Sequence, residues 1–501
     1  MALRPGRGAG PGRVARGRAG VVALAVALYL GAGLYAAQPA LDDVGSHFLG
    51  YGKPVTGVVT PGDHLQTTYN LWLPGHSLAD ARAPWLDHYS FQPEAEKRVN
   101  YAGWPFAVLF WPLHALLGTV GAWNAFVLLT YVGAGGCAAL WLRALGLPLG
   151  AALVGGLVFA LAPYRSLQTA GGHLLGPISM LLPLSLWGLE TRRTWLAAAA
   201  LASIPLSGQV HLALGAIPFF LAYALARRSD RVPAGVSAGI ALAAGLLVWA
   251  TSIRGTSGAS GRSFGQVERY SAELLDFVTR HSRHGFETMV LLGWLTPLVA
   301  LAGLVVLARR DRGLALVLGL GVLVPVVFAL GANTPLYRPL WEHLPGLGET
   351  RVPARLLPIA CLCLAALFAY ALARVRWRYA AVAAVALVAA DARVDTFDPL
   401  VADEGNPLYE ELRQAGPGRL LELPAYLPER QEGSVYLYYA LQAPRERPLG
   451  YSTTAPPEAN AVARALAAPT GAPRSELLRL GVGYVVEYDG GRPLRLRPAV
   501  R

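Results

Sequence analysis

Asp63 stands in the run GVVTPGDHLQTTYNLWLPGHSL, residues 57–78, directly after a Pro-Gly turn that holds its carboxylate at a chain reversal. Beyond it Leu65, Tyr69 and Trp72 recur at helical spacing, so an amphipathic helix lying on a membrane surface is expected, with Asp63 at or next to its N-terminus. A carboxylate there can take a proton from a reacting hydroxyl or simply cap the helix; spacing alone leaves both open. Asp42 and Asp43 form a second acidic pair, whose ordinary reading is solvated loop charge. Arg351 and Arg355 are four apart around Pro353. That spacing puts two guanidinium groups on one side of a helix, with the proline in its first turn. They can serve as fixed cations or as interfacial anchors. Arg165 and His173 share the short segment YRSLQTAGGHL, residues 164–174, where Gly171-Gly172 permits close backbone approach.

These residues are set in a chain of 501 residues, 54% hydrophobic and 15% charged, with a mean hydropathy of +0.40. Soluble domains carry about 25% charged residues, so one large soluble enzyme and a disordered chain are both excluded. Apolar runs that could cross a bilayer, which needs about 20 residues, lie at 20–37, 121–142, 149–163, 175–189, 194–206, 209–226, 233–251, 289–308, 313–331, 355–373 and 379–391. The run 104–117 is broken by Pro105 and Pro112 and is expected to be interfacial or re-entrant. Almost no ionisable residue falls inside the runs, which argues against an ion-coupled pump. Cys137, Cys361 and Cys363 sit in apolar runs at no metal-type or disulfide-type spacing.

The net charge of +12 lies in short clusters between the runs and not on one contiguous face, so nucleic acid is not the expected partner. Alternate connections hold 17 Arg (from Arg4 to Arg378) against three acids, Glu190, Asp230 and Asp311, whereas the first long loop, 38–103, holds four basic and seven acidic residues. Basic loops stay in the cytoplasm, so the N-terminus is expected inside and, with eleven spans, the C-terminus outside. The basic start could belong to a signal peptide, but its 18-residue apolar core is long and no A-x-A site follows it, so an uncleaved first span is expected. Loops 38–103, 252–288 and 332–354, with 164–174, then share the outer face.

From about 392 the composition becomes that of a soluble α/β unit. Asn406-Pro407 opens a helix ending near Gly416, RLLELPAY reads as a strand, SELLRLG as a short helix, and VGYVVEYDGGRPLRLRP as two strands around a Gly-Gly turn. The expected organisation is a basic N-terminus (1–19), a transmembrane region (20–391) and an extracytoplasmic unit (392–501). No P-loop, G-x-G-x-x-G or H-E-x-x-H motif occurs in a supporting context, which speaks against a nucleotide-sugar donor held in a Rossmann domain. Tyr69, Trp72, Trp85, Tyr89, Tyr101, Trp104 and Trp341 suit sugar stacking and a membrane-interface belt alike.

A long first loop with an acid and helical pieces resembles the GT-C superfamily, polytopic glycosyltransferases that use polyprenyl-phosphate sugars. PGDHLQTTYNLWLPGHSL is similar to the GD…Q…W stretch of bacterial members, and FALAPYRSLQTAGGHLLGPISMLLPLSLWGLE to the block that follows it. PGLGETRVPARLLPIACLCLAALFAYAL resembles a late R-x-P-x-R entry into a span, and LLELPAY, RPLGYS and LLRLGVGYVV the small C-terminal domain. The resemblance implies an all-α polytopic membrane protein of about eleven transmembrane helices with a small C-terminal extracytoplasmic α/β domain, in the plasma membrane. It implies transfer of a sugar from a polyprenyl-phosphate donor to a cell-envelope glycan, lipid or protein. Asp63 would be the general base, with Asp42 or Asp43 in reserve. His64, Gln66, Arg165, His173, Arg351 and Arg355 would bind substrate, the arginines at the leaving phosphate, and Glu268, Tyr270 and Asp276 could line the acceptor side. No cofactor is implied; the first loop carries no D-x-D or E-x-D motif, and a divalent metal stays open. A lipid or polysaccharide transporter and a non-catalytic envelope assembly protein are the alternatives.

Overall fold

The computed structural model describes residues 11–499, apart from 56, 96–97, 229–230, 257–261, 282 and 468–471. Arg4, Arg7 and Asp230 of the charge pattern lie outside the described residues.

The apolar runs fold as helices because nothing else satisfies the backbone away from water. They are α1 (Pro11–Ala37), α3 (Ala107–Ala144), α4 (Leu149–Ala160), α5 (Pro163–Ala170), α6 (Leu175–Ile178), α7 (Leu181–Glu190), α8 (Thr194–Leu206), α9 (Val210–Ala226) and α10 (Arg231–Val248), after the intervening α2 (Asp63–Ala79). Then come α11 (Leu295–Ala308), α12 (Arg312–Ala329), α13 (Leu357–Leu372) and α14 (Ala380–Asp391). Every expected run finds a helix. Yet among the described residues five helices are long and apolar enough to cross a membrane, or six if α4 and α5, bent by 46°, make one span. Five further apolar helices have only 10–17 residues, so the count of eleven spans is not carried by length. The proline-broken run 104–117 also differs from expectation. It joins α3, and the path breaks not at Pro112 but at Gly118, where φ is +71°. There the Glu404 carboxylate accepts from the Thr119 and Val120 N–H groups at 2.8 and 2.9 Å, capping the second half of the helix.

The best-buried span is α13, and its neighbours reach it through glycines. A Cβ on Gly303 of α11 would lie 1.8 Å from the Leu367 carbonyl, and one on Gly321 of α12 would lie 2.5 Å from the Cys363 sulfur. Small residues let backbones approach where lipid supplies no hydrophobic drive. At one end of the bundle Arg227 pairs with Glu190 at 2.7 Å and with Asp311 at 3.5 Å, drawing three of the basic turns together.

The remaining chain packs at the other end. Strand β1 (His47–Gly50) pairs antiparallel with β2 (Asp398–Val401), His47 opposite Val401. A three-stranded sheet is built from β3 (Arg419–Leu423), β4 (Val482–Asp489) and β5 (Arg492–Pro498), with β3 parallel and β5 antiparallel to β4. Helix α15 (Pro407–Gln414) starts at Asn406, whose side chain accepts from the Leu408 N–H, as the sequence predicts. The sequence does not announce α16 (Ser434–Gln442), which packs on α2 and buries Tyr436, Tyr438 and Tyr439. Two short helices, α17 (Ala459–Leu466) and α18 (Arg474–Arg479), complete the unit. Inside it Arg447 and Glu422 form a buried ion pair at 2.8 Å, so the core here is paired and not merely apolar.

Candidate active site

Asp63 is the first residue of α2. Its Oδ2 accepts from His173 Nε2 at 2.7 Å, and its Oδ1 accepts from the Tyr451 hydroxyl. Burial alone would raise the carboxyl pKa, but the His173 hydrogen bond and charge, the Tyr451 hydroxyl and the nearby Arg355 together lower it to about 2. Burial and the Asp63 charge push the Tyr451 hydroxyl far above its ordinary value, so it stays a donor. A carboxylate has about four lone-pair sites, so two bound partners leave room for a substrate hydroxyl.

The local backbone explains the contact. Gly172 has φ +78°, and a Cβ there would lie 2.2 Å from the His64 N atom, so only glycine lets this loop touch the start of α2. The Gly172 carbonyl accepts from Thr67 Oγ1 at 2.6 Å, fixing the approach. From the other side the Gly62 N–H donates to Ser434 Oγ at 3.0 Å and Gln66 Nε2 to the Tyr451 carbonyl at 2.8 Å. The C-terminal unit thus braces the turn that carries Asp63.

His173 leads to the arginines. Its Nδ1 faces Gln168 Oε1 at 2.7 Å, and Arg355 Nη1 donates to the same oxygen at 2.6 Å. Arg355 Nη2 pairs with Glu287 at 2.5 Å. Arg351 lies over the Tyr270 ring at 5.9 Å, and among the described residues no carboxylate pairs with it. The two arginines are not on one helix face. Val352 is extended, with φ −115° and ψ 103°, because a residue before proline is driven out of the helical region, and only Pro353–Leu356 turns, as a short 3-10 helix. They nevertheless line one cavity.

That cavity, of about 290 Å³, holds Asp63, Gln66, His173, Arg351, Arg355 and Tyr451. A second cavity of about 350 Å³, almost wholly apolar, adjoins it between α9 and α12, and His211, Val352 and Arg355 border both. The Nε2 atom of His211 is buried with no hydrogen-bond partner.

Other expected site residues lie elsewhere. Asp42 and Asp43 are exposed in the turn after α1, away from the cavity lining. His64 is buried, edge-on to Phe48 at 5.4 Å, and burial lowers its pKa to about 3, which makes it a neutral core side chain. Arg165 is fully buried, donating to the Ala160 and Thr130 carbonyls at 2.9 and 2.7 Å over the Tyr131 ring. Glu268 is exposed, and Asp276 is buried in a capping box with Glu273. Neither of these nor Tyr270 lines the cavity.

Sequence reasoning missed Tyr451 and Glu287 as partners of the cluster. It also missed Asp87, which binds Tyr69 at 2.6 Å and Arg98 at 2.7 Å beneath the cavity wall. Tyr451 stands in the RPLGYS stretch already noted, but nothing local ties it to Asp63. Among the described residues no group of three or more His, Cys, Asp or Glu side chains is placed to hold a metal ion.

No protein-family model and no curated protein matches the chain. Among solved structures, the cryo-EM structure of arabinofuranosyltransferase AftD from Mycobacteria matches 95% of this chain at a TM-score of 0.55 and 19% identity. A mutant form of that protein matches 93% at 0.54. The chain spans only 36% of that protein's length. The Archaeoglobus fulgidus oligosaccharyltransferase covers 92% of this chain and 69% of its own, at a TM-score of 0.47 and 12% identity. At these identities the likeness shows the fold alone: this chain shares the architecture of AftD.

Proposed function

We propose that the protein transfers a sugar from a polyprenyl-phosphate donor to a hydroxyl of a cell-envelope acceptor, at the face of the membrane away from the cytoplasm. The observation that carries this reading is the junction of the two cavities: a carboxylate, the Glu287-paired Arg355, and Arg351, with which no carboxylate among the described residues pairs, in a polar chamber that opens into an apolar one. The lipid tail would occupy the space between α9 and α12, and its phosphate would meet Arg351 and Arg355. The acceptor oxygen attacks the anomeric carbon, its proton passes to Asp63, and the bond from that carbon to the phosphate oxygen breaks. The departing electron pair stays on the phosphate, where paired guanidinium N–H groups offset the growing charge. The ionised Asp63 also stabilises the oxocarbenium character of the sugar. A base of low pKa serves here because the attacking hydroxyl becomes acidic only as its new bond forms.

Asp63→Asn keeps the shape and the Tyr451 contact but cannot accept the proton. Purified variant and wild type, assayed with a polyprenyl-phosphate sugar, should differ by about 10²–10⁴-fold in kcat, with donor KM little changed. Equal turnover would remove Asp63 from the chemistry.

A further inference from the structure

A third cavity, of about 490 Å³, lies at the seam between the first long loop and the C-terminal sheet. Its volume falls in the range of ligand sites, about 300–1,000 Å³. Four arginines line it, Arg82, Arg413, Arg419 and Arg445, against one acid, Glu446. Glu446 is already bound to Arg419 at 2.7 Å, and Arg413 pairs with Glu410. Arg82 meets only the Tyr89 ring, at 6.0 Å, and Arg445 is fixed by carbonyls: those of Leu412, Ala415, Gly416 and Gly418, at 2.6–3.2 Å. Among the described residues no carboxylate pairs with either. Gly481, at φ +63°, keeps the floor open, since a Cβ there would lie 2.8 Å from Arg419 Nη1.

We infer that this pocket binds an anionic segment of carbohydrate, sugar units bearing carboxylate or phosphodiester groups. The anionic part follows from the excess of guanidinium over carboxylate in the lining: among the described residues no carboxylate offsets Arg82 or Arg445, and Arg82, unlike Arg445, is not held by carbonyls and can give such oxygens charge-assisted bonds. A lipid fits less well, because among the described residues the apolar lining beyond the Tyr89 ring is Pro417, Ala443 and Pro444, too little to cover a tail. The carbohydrate part rests on the sugar-transfer reading. The chain segments that wall this pocket, at Tyr89 and at Arg445 and Glu446, continue directly into Asp87, Ser90 and Ser452 of the chamber that holds Asp63.

The full chain in zwitterionic nanodiscs should bind a fluorescent oligogalacturonate, with affinity falling as salt rises. A neutral malto-oligosaccharide of equal length should not compete. Arg82 and Arg413 are exposed and hold no core contact, so R82Q combined with R413Q should fold with an unchanged Tm yet bind at least about tenfold more weakly. Asp63→Asn should bind as wild type does, which separates this claim from the transfer reaction. The inference is overturned by an absence of uronate binding at low salt, by an unchanged affinity in the double variant, or by full competition from the neutral sugar. It is equally overturned if anionic vesicles displace the probe through the same two arginines, which would make the pocket a lipid-surface contact.

Discussion

His173, Tyr451 and Arg355 act together on the Asp63 carboxyl, and the first two can each be tested alone. His173 supplies the largest favourable contribution to the low pKa, so His173→Ala should raise it. In the proposed reaction the ionised form is the base, so the acidic limb of kcat/KM, near pH 2 for Asp63 in the wild type, should move to higher pH in the variant. A profile with an unmoved acidic limb would sever His173 from the base. Tyr451→Phe removes another donor from the carboxylate, so it too should raise the Asp63 pKa and move the acidic limb to higher pH, with the protein still folded. Asp63 and His173 drew notice because each follows a glycine at a turn or close approach, and Arg355 because it stands four residues after Arg351 at the entry to a span. His64 and Arg165 were misread because proximity in sequence is not proximity of side chains. Residues one apart on a helix do not face each other, so His64 turns into the core while Asp63 turns into the cavity.

At the level of elements, the glycine contacts on α13 connect membrane packing with the site, since Arg355 enters that helix from its N-terminal side. Gly303→Ala puts a methyl group against the Leu367 carbonyl and forces α11 away. Overpacking of this kind costs about 1–3 kcal/mol, measurable as a lower unfolding midpoint in detergent, and the shift at α13 should also reduce turnover. The apolar runs anticipated the membrane helices other than α5, whose residues from 164 onward were expected as an outer loop but turn as a helix. They did not reveal which are long enough to cross, because breaks at Gly118 and between Ala160 and Pro163 are set by tertiary partners such as Glu404. Nor did four-residue spacing survive at Arg351 and Arg355, where the proline between them imposed an extended residue.

Across the whole molecule, the basic turns gather at one end and the Asp63 cavity at the other. Sidedness follows as a prediction: with the native cysteines replaced, Lys53→Cys should react with a membrane-impermeant thiol reagent added outside intact cells, and Arg310→Cys only after permeabilisation. Reaction of both from one side would overturn the orientation. Composition led to the expectation of a terminal α/β unit, but gave no sign that the segment after 392 reaches back through β2, Ser434 and Tyr451 to the first loop. That reach imposes an order in time. A ribosome lays down the carboxylate some 388 residues before the phenol that completes its surroundings, so in a nascent chain threading into the bilayer the Asp63 environment stays unfinished until residue 451 has emerged.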